Sequence, residues 1–319
     1  MEEISVVIPL YNKAPYIDRS LNSVLSQTFL PKEIIVVDDG STDGGEDIVK
    51  NYNHPLIRLI SKKNEGVSAT RNRGVLEATG SLIAFLDADD CWQPRFLEVI
   101  HNLRQQFPQA GIYATNFELV RPNGEIKKYT WNCLPPDSQA VLISQYIEVL
   151  AHLPMHMSAT AMPKHILQEI GGFNQDEYLY EDVDLVLRIG LRYPIAWSSE
   201  PLARYHQDAL NRALGTRLWV REPAVSVTIR QAIADGLVPE NLINMLKEYS
   251  HQVQMQAAVH CIHQGQKEMA SQLLAYSRST KKYRSLWWQC FILNLLPGGT
   301  GSFILMAKKR ITGALGFFN

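Results

Sequence analysis

The sequence predicts an α/β fold, a doubly wound and mostly parallel sheet, followed by a C-terminal helical region. Three observations carry this expectation. Apolar, β-branched runs alternate with helically spaced segments four times in the first 90 residues, the pattern of βαβ units with right-handed crossovers. The last of these runs, Leu82 to Leu86, leads straight into Asp87-Ala88-Asp89-Asp90, and open α/β sheets collect their ligands at the carboxyl ends of strands. From about residue 209 onward the apolar spacing is helical throughout.

Taken in order, Ile4-Ser5-Val6-Val7-Ile8 is a strand ending at Pro9. Pro15 to Gln27 places Ile17, Leu21, Val24 and Leu25 at helical spacing. Ile34-Ile35-Val36-Val37 is the second strand, and it ends in Asp38-Asp39-Gly40. Thr42 or Asp43 then offers an N-cap for a helix through Tyr52. Ile57 to Ile60 is the third strand, Gly66 to Ala78 the third helix, and Leu82 to Leu86 the fourth strand. Beyond it, Phe96, Ile100, Leu103 and Phe107 form one helical face. Shorter strands are expected at Gly111–Thr115, Glu118–Arg121 and Ile126–Thr130, and a helix over Glu181 to Tyr193. Ala257 to His263 and Glu268 to Ser277, separated by Gly265, predict an antiparallel helix pair. The expected domains are therefore 1–208, divided into halves at 1–90 and 91–208, and a helical region at 209–319.

The formal net charge of −1 hides an asymmetry: residues 1–268 hold 24 basic and 32 acidic residues, whereas 269–319 hold seven basic residues and no acid. Basic residues that outnumber acids only in the tail argue against nucleic-acid binding. Cys91, Cys133, Cys261 and Cys290 form neither a CxxC pair nor a disulfide framework, which predicts a reducing, cytoplasmic setting. Met1-Glu2-Glu3-Ile4 lacks the basic start of a signal peptide. The apolar run Leu286 to Leu296, interrupted by Gln289 and Asn294, is too short to span a bilayer. There is no Walker loop, and Gly298-Gly299-Thr300-Gly301 follows no strand.

The chemistry concentrates in the loops after strands. Three acids within residues 87–90 repel one another unless a cation sits among them, and oxygen ligands suit Mg²⁺ or Mn²⁺ bridging to phosphates. Other polar constellations line up with this one: Ile8-Pro9-Leu10-Tyr11-Asn12, Val37 to Asp43, and Asn64 to Gly74 with Arg71 and Arg73. Downstream come Gly171-Gly172-Phe173, Glu181-Asp182-Val183-Asp184, and His206.

This ordered set, over roughly residues 3–206, resembles the family 2 inverting glycosyltransferases of the GT-A fold. The resemblance implies roles for individual residues. Pro9 and Tyr11 would line the nucleoside pocket, and Asp39 would accept a hydrogen bond from the pyrimidine. Arg71, or less readily Arg73, would lie near the base or phosphates. Asp87 would approach the ribose, Asp89 would be the main metal ligand, and His206 a second metal contact. Asp182, beside Glu181, would be the catalytic base that takes the acceptor's proton, its ionised form favoured near a helix N-terminus. The donor would be a nucleotide-sugar such as a UDP-sugar. The acceptor would be a glycan or lipid-linked molecule in surface polysaccharide synthesis.

Plainer readings stand beside these. Asp38, Asp39 and Asp43 serve equally as turn and capping residues, and Glu181-Asp182 as helix-start acids. His206 is a lone histidine, His152, His156 and Trp131 read more readily as core or surface than as acceptor contacts, and Asp90 and Cys91 receive no role. Trp287, Trp288, Phe291, Ile292, Leu295 and Leu296 form either a core face or, with Lys308-Lys309-Arg310, an interfacial segment for an anionic membrane surface. Two other functions fit the same residues: a catalytically silent regulator binding nucleotide-sugar or glycan, and a sugar nucleotidyltransferase. Against the second, the loop Pro9-Leu10-Tyr11-Asn12-Lys13 lacks glycine.

Overall fold

The computed structural model describes residues 3–130, 140–144, 146, 150, 155–177, 179–209 and 221–295. Trp131, Cys133, His152, Leu296, residues 298–301 and the basic cluster 308–310 lie outside the described residues. The chain divides into two compact units, Met1–Gln175 with Glu181–Arg212, and Asp176–Tyr180 with Ala213–Asn319.

In the first unit, β1 (Ile4–Leu10), β2 (Glu33–Asp38), β3 (Ile57–Ser61) and β4 (Leu82–Phe85) are all parallel and lie in the order β3-β2-β1-β4. The intervening helices are α1 (Ala14–Leu25), α2 (Gly45–Asn51) and α3 (Val67–Glu77). In β1, β2 and β4 the apolar run is continuous because both faces of the strand are buried. The crossover α3 comes unusually near the sheet. A Cβ at Gly74 would sit 2.3 Å from Cγ1 of Val7 in β1, so only glycine permits this approach.

The sheet continues with β5 (Cys91–Trp92), α4 (Phe96–Gln106), β6 (Ile112–Val120), β7 (Ile126–Lys128), β8 (Val141–Ile143), β9 (Thr160–Pro163), α5 (Lys164–Ile170), α6 (Glu181–Gly190) and β10 (Ile195–His206). Its order is β3-β2-β1-β4-β9-β6-β10-β5, with β9 antiparallel to both β4 and β6 and with β6 parallel to β10. The two strands expected at 111–115 and 118–121 are one strand, β6. The polar Asn116 does not interrupt it, because its buried amide donates to the Tyr129 carbonyl at 2.9 Å and accepts from the Phe117 N–H at 2.9 Å.

In the second unit the described residues form α7 (Ala224–Ala234), α8 (Glu240–His263), α9 (Lys267–Tyr276) and α10 (Arg284–Leu295). Met255, Ala258, Cys261, Leu273, Leu274, Trp287 and Cys290 make its core. The expected helix at 257–263 is the last two turns of the 24-residue α8, turning at Gly265 (φ +74°) into α9. Among the described residues, no helix is long and apolar enough to cross a membrane.

Candidate active site

The loop after β1 and the loop after β2 are tied together by hydrogen bonds. The Asn12 N–H donates to the Ser41 hydroxyl at 3.0 Å, and the Thr42 N–H donates to the Asn12 side-chain oxygen at 2.8 Å. Asp38 accepts from the Ser41 N–H at 3.1 Å, and Asp43 accepts from the Ala14 N–H at the start of α1 at 2.8 Å. Both therefore do turn and capping work. Asp39 is different. It is buried, accepts from the N–H groups of Glu65 at 2.9 Å and Gly66 at 2.8 Å, and pairs with Lys62. Gly66 adopts φ +96°, ψ 167°, a conformation essentially reserved for glycine, and so turns its N–H onto that carboxylate. Pro9 lies within β1, and Tyr11, just past the strand's end, is 47 % exposed.

The acids after β4 have divergent environments. Asp87 pairs with Arg71 at 2.8 Å; burial opposes its charge, but the guanidinium beside it holds the carboxyl below its usual range. Asp89 pairs with Lys13 at 2.6 Å. Asp90 is 1 % exposed. It accepts from the Ser158 hydroxyl at 2.5 Å and from the His206 N–H at 2.9 Å. Burial, then the neighbouring charges of Asp89 and Asp87, push Asp90 well above the usual carboxylate range.

Arg71, from the first turns of α3, is buried and bridges two elements. One nitrogen reaches Asp87, the other reaches Glu181 at 3.0 Å, and its carbon lies 5.3 Å from the centre of the Phe173 ring. Asn72 next to it grips the following corner. Its amide donates to the Phe173 carbonyl at 2.8 Å and accepts from the Phe173 N–H at 2.9 Å, with Gly172 at φ +68°. Arg188, in the last turn of α6, donates to the carbonyls of Ile170 and Gly172 at 3.0 and 2.8 Å, tying that helix to the corner. There Glu181 and Asp182 stand in the first turn, and Asp182 accepts from the Val183 N–H at 2.7 Å. Burial and then the adjacent Asp182 push Glu181 up to about 7, against the pull of Arg71. Arg73 pairs instead with Glu77 of its own helix at 2.9 Å.

His206, at the end of β10, is half-buried with its Nε2 3.5 Å from Sγ of Cys91. Burial, then the charge of Arg19, lowers it to about 4. The metal-ligand atoms that converge among the described residues are those of Asp87, Asp90 and His156, all within 4.8 Å of one another. Asp89 and His206 are not in that trio. His156 sits just before the 3-10 turn Met157–Ala159 that also presents Ser158 to Asp90. Sequence reasoning gave Asp90 no role and read His156 as core or surface. No spacing rule links a histidine after a long connection to an acid 66 positions earlier; only the antiparallel β9, seated between β4 and β6, brings them together.

The fold, with acids at the parallel strand ends facing a carboxylate-bearing helix start, defines a GT-A-type domain. The family model described as Glycosyl transferase family 2 matches residues 5–147. The chain is 36% identical over 137 residues to the uncharacterized glycosyltransferase YibD of Escherichia coli (strain K12), covering 42% of this chain and 39% of that protein. It is 36% identical over 132 residues to an Escherichia coli chondroitin synthase, covering 40% of this chain and 19% of that protein. The chain spans less than two fifths of the length of the first curated relatives it matches, 39%, 35% and 34%. Among solved structures, S. aureus TarS 1-349 in complex with UDP-GlcNAc superposes with a TM-score of 0.64 at 18% identity, covering 98% of this chain and 92% of that one, which establishes the shared fold.

Proposed function

We propose that this chain is a metal-dependent, inverting glycosyltransferase that moves a hexosyl group from a UDP-sugar to a hydroxyl of a glycan or lipid-linked acceptor in surface polysaccharide synthesis, on the cytoplasmic side of the membrane. One observation carries the reading: Arg71 holds the acidic end of β4 against the helix start that bears Glu181 and Asp182. A donor-binding edge and a proton acceptor thus share one wall. The structural relative is seen with UDP-GlcNAc and with UDP, and one sequence relative is a chondroitin synthase, which supports the donor class and the acceptor type.

The residues present fit a divalent cation. Asp87 and Asp90 offer carboxylate oxygens, and the buried Nδ1 of His156 has no hydrogen-bond partner. Burial holds that imidazole below its ordinary pKa and therefore neutral, as a ligand must be. Two carboxylates and an imidazole accept Mg²⁺ or Mn²⁺, the imidazole favouring Mn²⁺. When bound, the ion neutralises the departing diphosphate as a Lewis acid. Asp89, held by Lys13, is the further ligand that the family resemblance implies, with His206 beyond it; a diphosphate competes for the Lys13 ammonium and frees the carboxylate. Pro9, Tyr11 and Asp39 hold the nucleoside, and Asp87 orients the ribose. Asp182 uses the oxygen left free by Val183 to receive the acceptor's proton as that hydroxyl attacks the anomeric carbon from the face opposite the diphosphate. Glu181 stays against Arg71 and keeps Asp182 in place.

The test is nucleoside diphosphate release from a panel of nucleotide-sugars with crude membrane lipids as acceptor, in Mn²⁺, Mg²⁺ or EDTA. The expected result is metal-dependent release, abolished in Asp89→Ala and reduced about 10²- to 10⁴-fold in Asp182→Asn, the usual size of a general-base contribution. Donor binding without turnover under every condition would overturn the reading in favour of a silent nucleotide-sugar binder.

A further inference from the structure

Helix α10 carries large apolar side chains on two sides, and among the described residues only one of these sides is covered. Trp287 and Cys290 face inward, Trp287 donating its indole N–H to the Leu274 carbonyl at 2.7 Å. Asn294 is anchored by bonds to the Lys267 carbonyl at 3.1 Å and the Ser271 hydroxyl at 2.8 Å. The opposite stripe is exposed: Trp288 51%, Phe291 36%, Ile292 55% and Leu295 67%. These four recur at i, i+3, i+4 and i+7, one continuous helical face. The rings brace one another, Phe291 stacked on Trp287 at 5.2 Å and Trp288 edge-on to Phe291 at 5.7 Å. Such a face on a helix that could have been polar marks a surface that something apolar covers.

The charges around the stripe say what. Arg284 stands one turn before Trp288 on the same face, and Lys281 and Lys282 precede the helix, all exposed. The neighbouring acid, Glu248 of α8, is used by the Thr280 hydroxyl at 2.6 Å and the Lys281 N–H at 2.7 Å. From residue 269 to the last residue there are seven basic side chains and no acidic one. Aromatic and aliphatic side chains preceded by a cluster of cations match the acyl boundary and headgroups of an anionic bilayer.

We propose that the outer face of α10 is an interfacial docking surface for an anionic lipid bilayer, with Trp288, Phe291, Ile292 and Leu295 entering the headgroup boundary and Lys281, Lys282 and Arg284 contacting lipid phosphates. The surface belongs to the second unit, and its test reads no sugar transfer, so it stands or falls apart from the transferase reading.

The experiment is flotation of the full chain with vesicles of phosphatidylcholine alone or mixed with phosphatidylglycerol, at low and high salt. Two variants accompany it, Trp288→Ser/Phe291→Ser/Ile292→Ser and Lys281→Gln/Lys282→Gln/Arg284→Gln, each checked for folding by circular dichroism and for oligomeric state by light scattering. Wild type floats with the anionic vesicles and is released by salt, and each variant loses at least about tenfold in binding, the first through lost apolar insertion and the second through lost attraction to the lipid phosphates. Equal binding of wild type and both variants would overturn the proposal. So would wild type that ignores vesicles, whether as an oligomer that the apolar variant converts to monomer, meaning a second copy covers the face, or as a monomer, meaning residues 296–319 cover it.

Discussion

Arg71 decides much of the site at the scale of single side chains. Its guanidinium is buried against two carboxylates, Asp87 and Glu181, at 2.8 and 3.0 Å. Removing one partner of such an arrangement strands charge out of water, which costs more than the pair itself contributes. Arg71→Met is therefore expected to destabilise the protein by about 3–5 kcal/mol, read by denaturant unfolding without any ligand. An arginine that acted only on donor phosphates would leave apo stability unchanged, and that outcome would remove its positioning role. Glu181 makes a second, signed prediction. Its carboxyl is raised from 4.5 to about 7 by burial and then by Asp182, so the folded state binds the proton more tightly than the unfolded chain does. The stability this contributes is full below about pH 4.5 and is lost as pH rises through about 7. Between pH 5 and 8 wild type should lose up to about 3 kcal/mol relative to Glu181→Gln. Parallel unfolding free energies of the two proteins across that range would show that Glu181 is ionised throughout.

At the scale of elements, the four parallel strands and their helices were readable because each is a local event: a β-branched run buried on both faces, then a helical spacing. The acids after β4 were readable for the same reason, as a polar stop to an apolar run. What escaped the sequence depends on distant partners. The merging of two expected strands into β6 needs the Tyr129 carbonyl to satisfy Asn116. His156 and Ser158 reach Asp90 only because the short strand β9 pairs antiparallel with both β4 and β6, and four residues leave no periodic trace. Lys13 and Arg188 gave no signal either, since ion pairs and carbonyl contacts across a fold follow no spacing. Close approach of elements can be tested directly. Gly74→Ala would place a methyl 2.3 Å from the Val7 side chain, and overpacking of this kind costs about 1–3 kcal/mol despite alanine's better helix propensity. A stabilised Gly74→Ala protein would mean that α3 moves off β1 freely.

The whole molecule combines an acidic first stretch, 24 basic against 32 acidic residues through 268, with a tail bearing only positive charge. Asp87 and Asp90 of the first unit converge after β4, an arrangement that the proposed cation and nucleotide would relieve together. Ligands that bind only the folded state raise its stability by mass action, by about 2.7 kcal/mol at a hundredfold excess over Kd. For a unit of this size that corresponds to a rise in Tm of about 5–10 °C. UDP with Mn²⁺ should give such a shift in wild type. Asp182→Asn should retain it, because the proposed base touches the acceptor hydroxyl and not the nucleotide, while losing turnover. His156→Ala should lose the Mn²⁺-dependent part and keep whatever shift UDP gives alone. A shift that survives unchanged in His156→Ala would place the ion on the Asp89 side of the cluster, the side that the family resemblance implies. Loss of the shift in Asp182→Asn would instead make that carboxylate part of donor binding, and the proton acceptor would have to be sought elsewhere on the same wall.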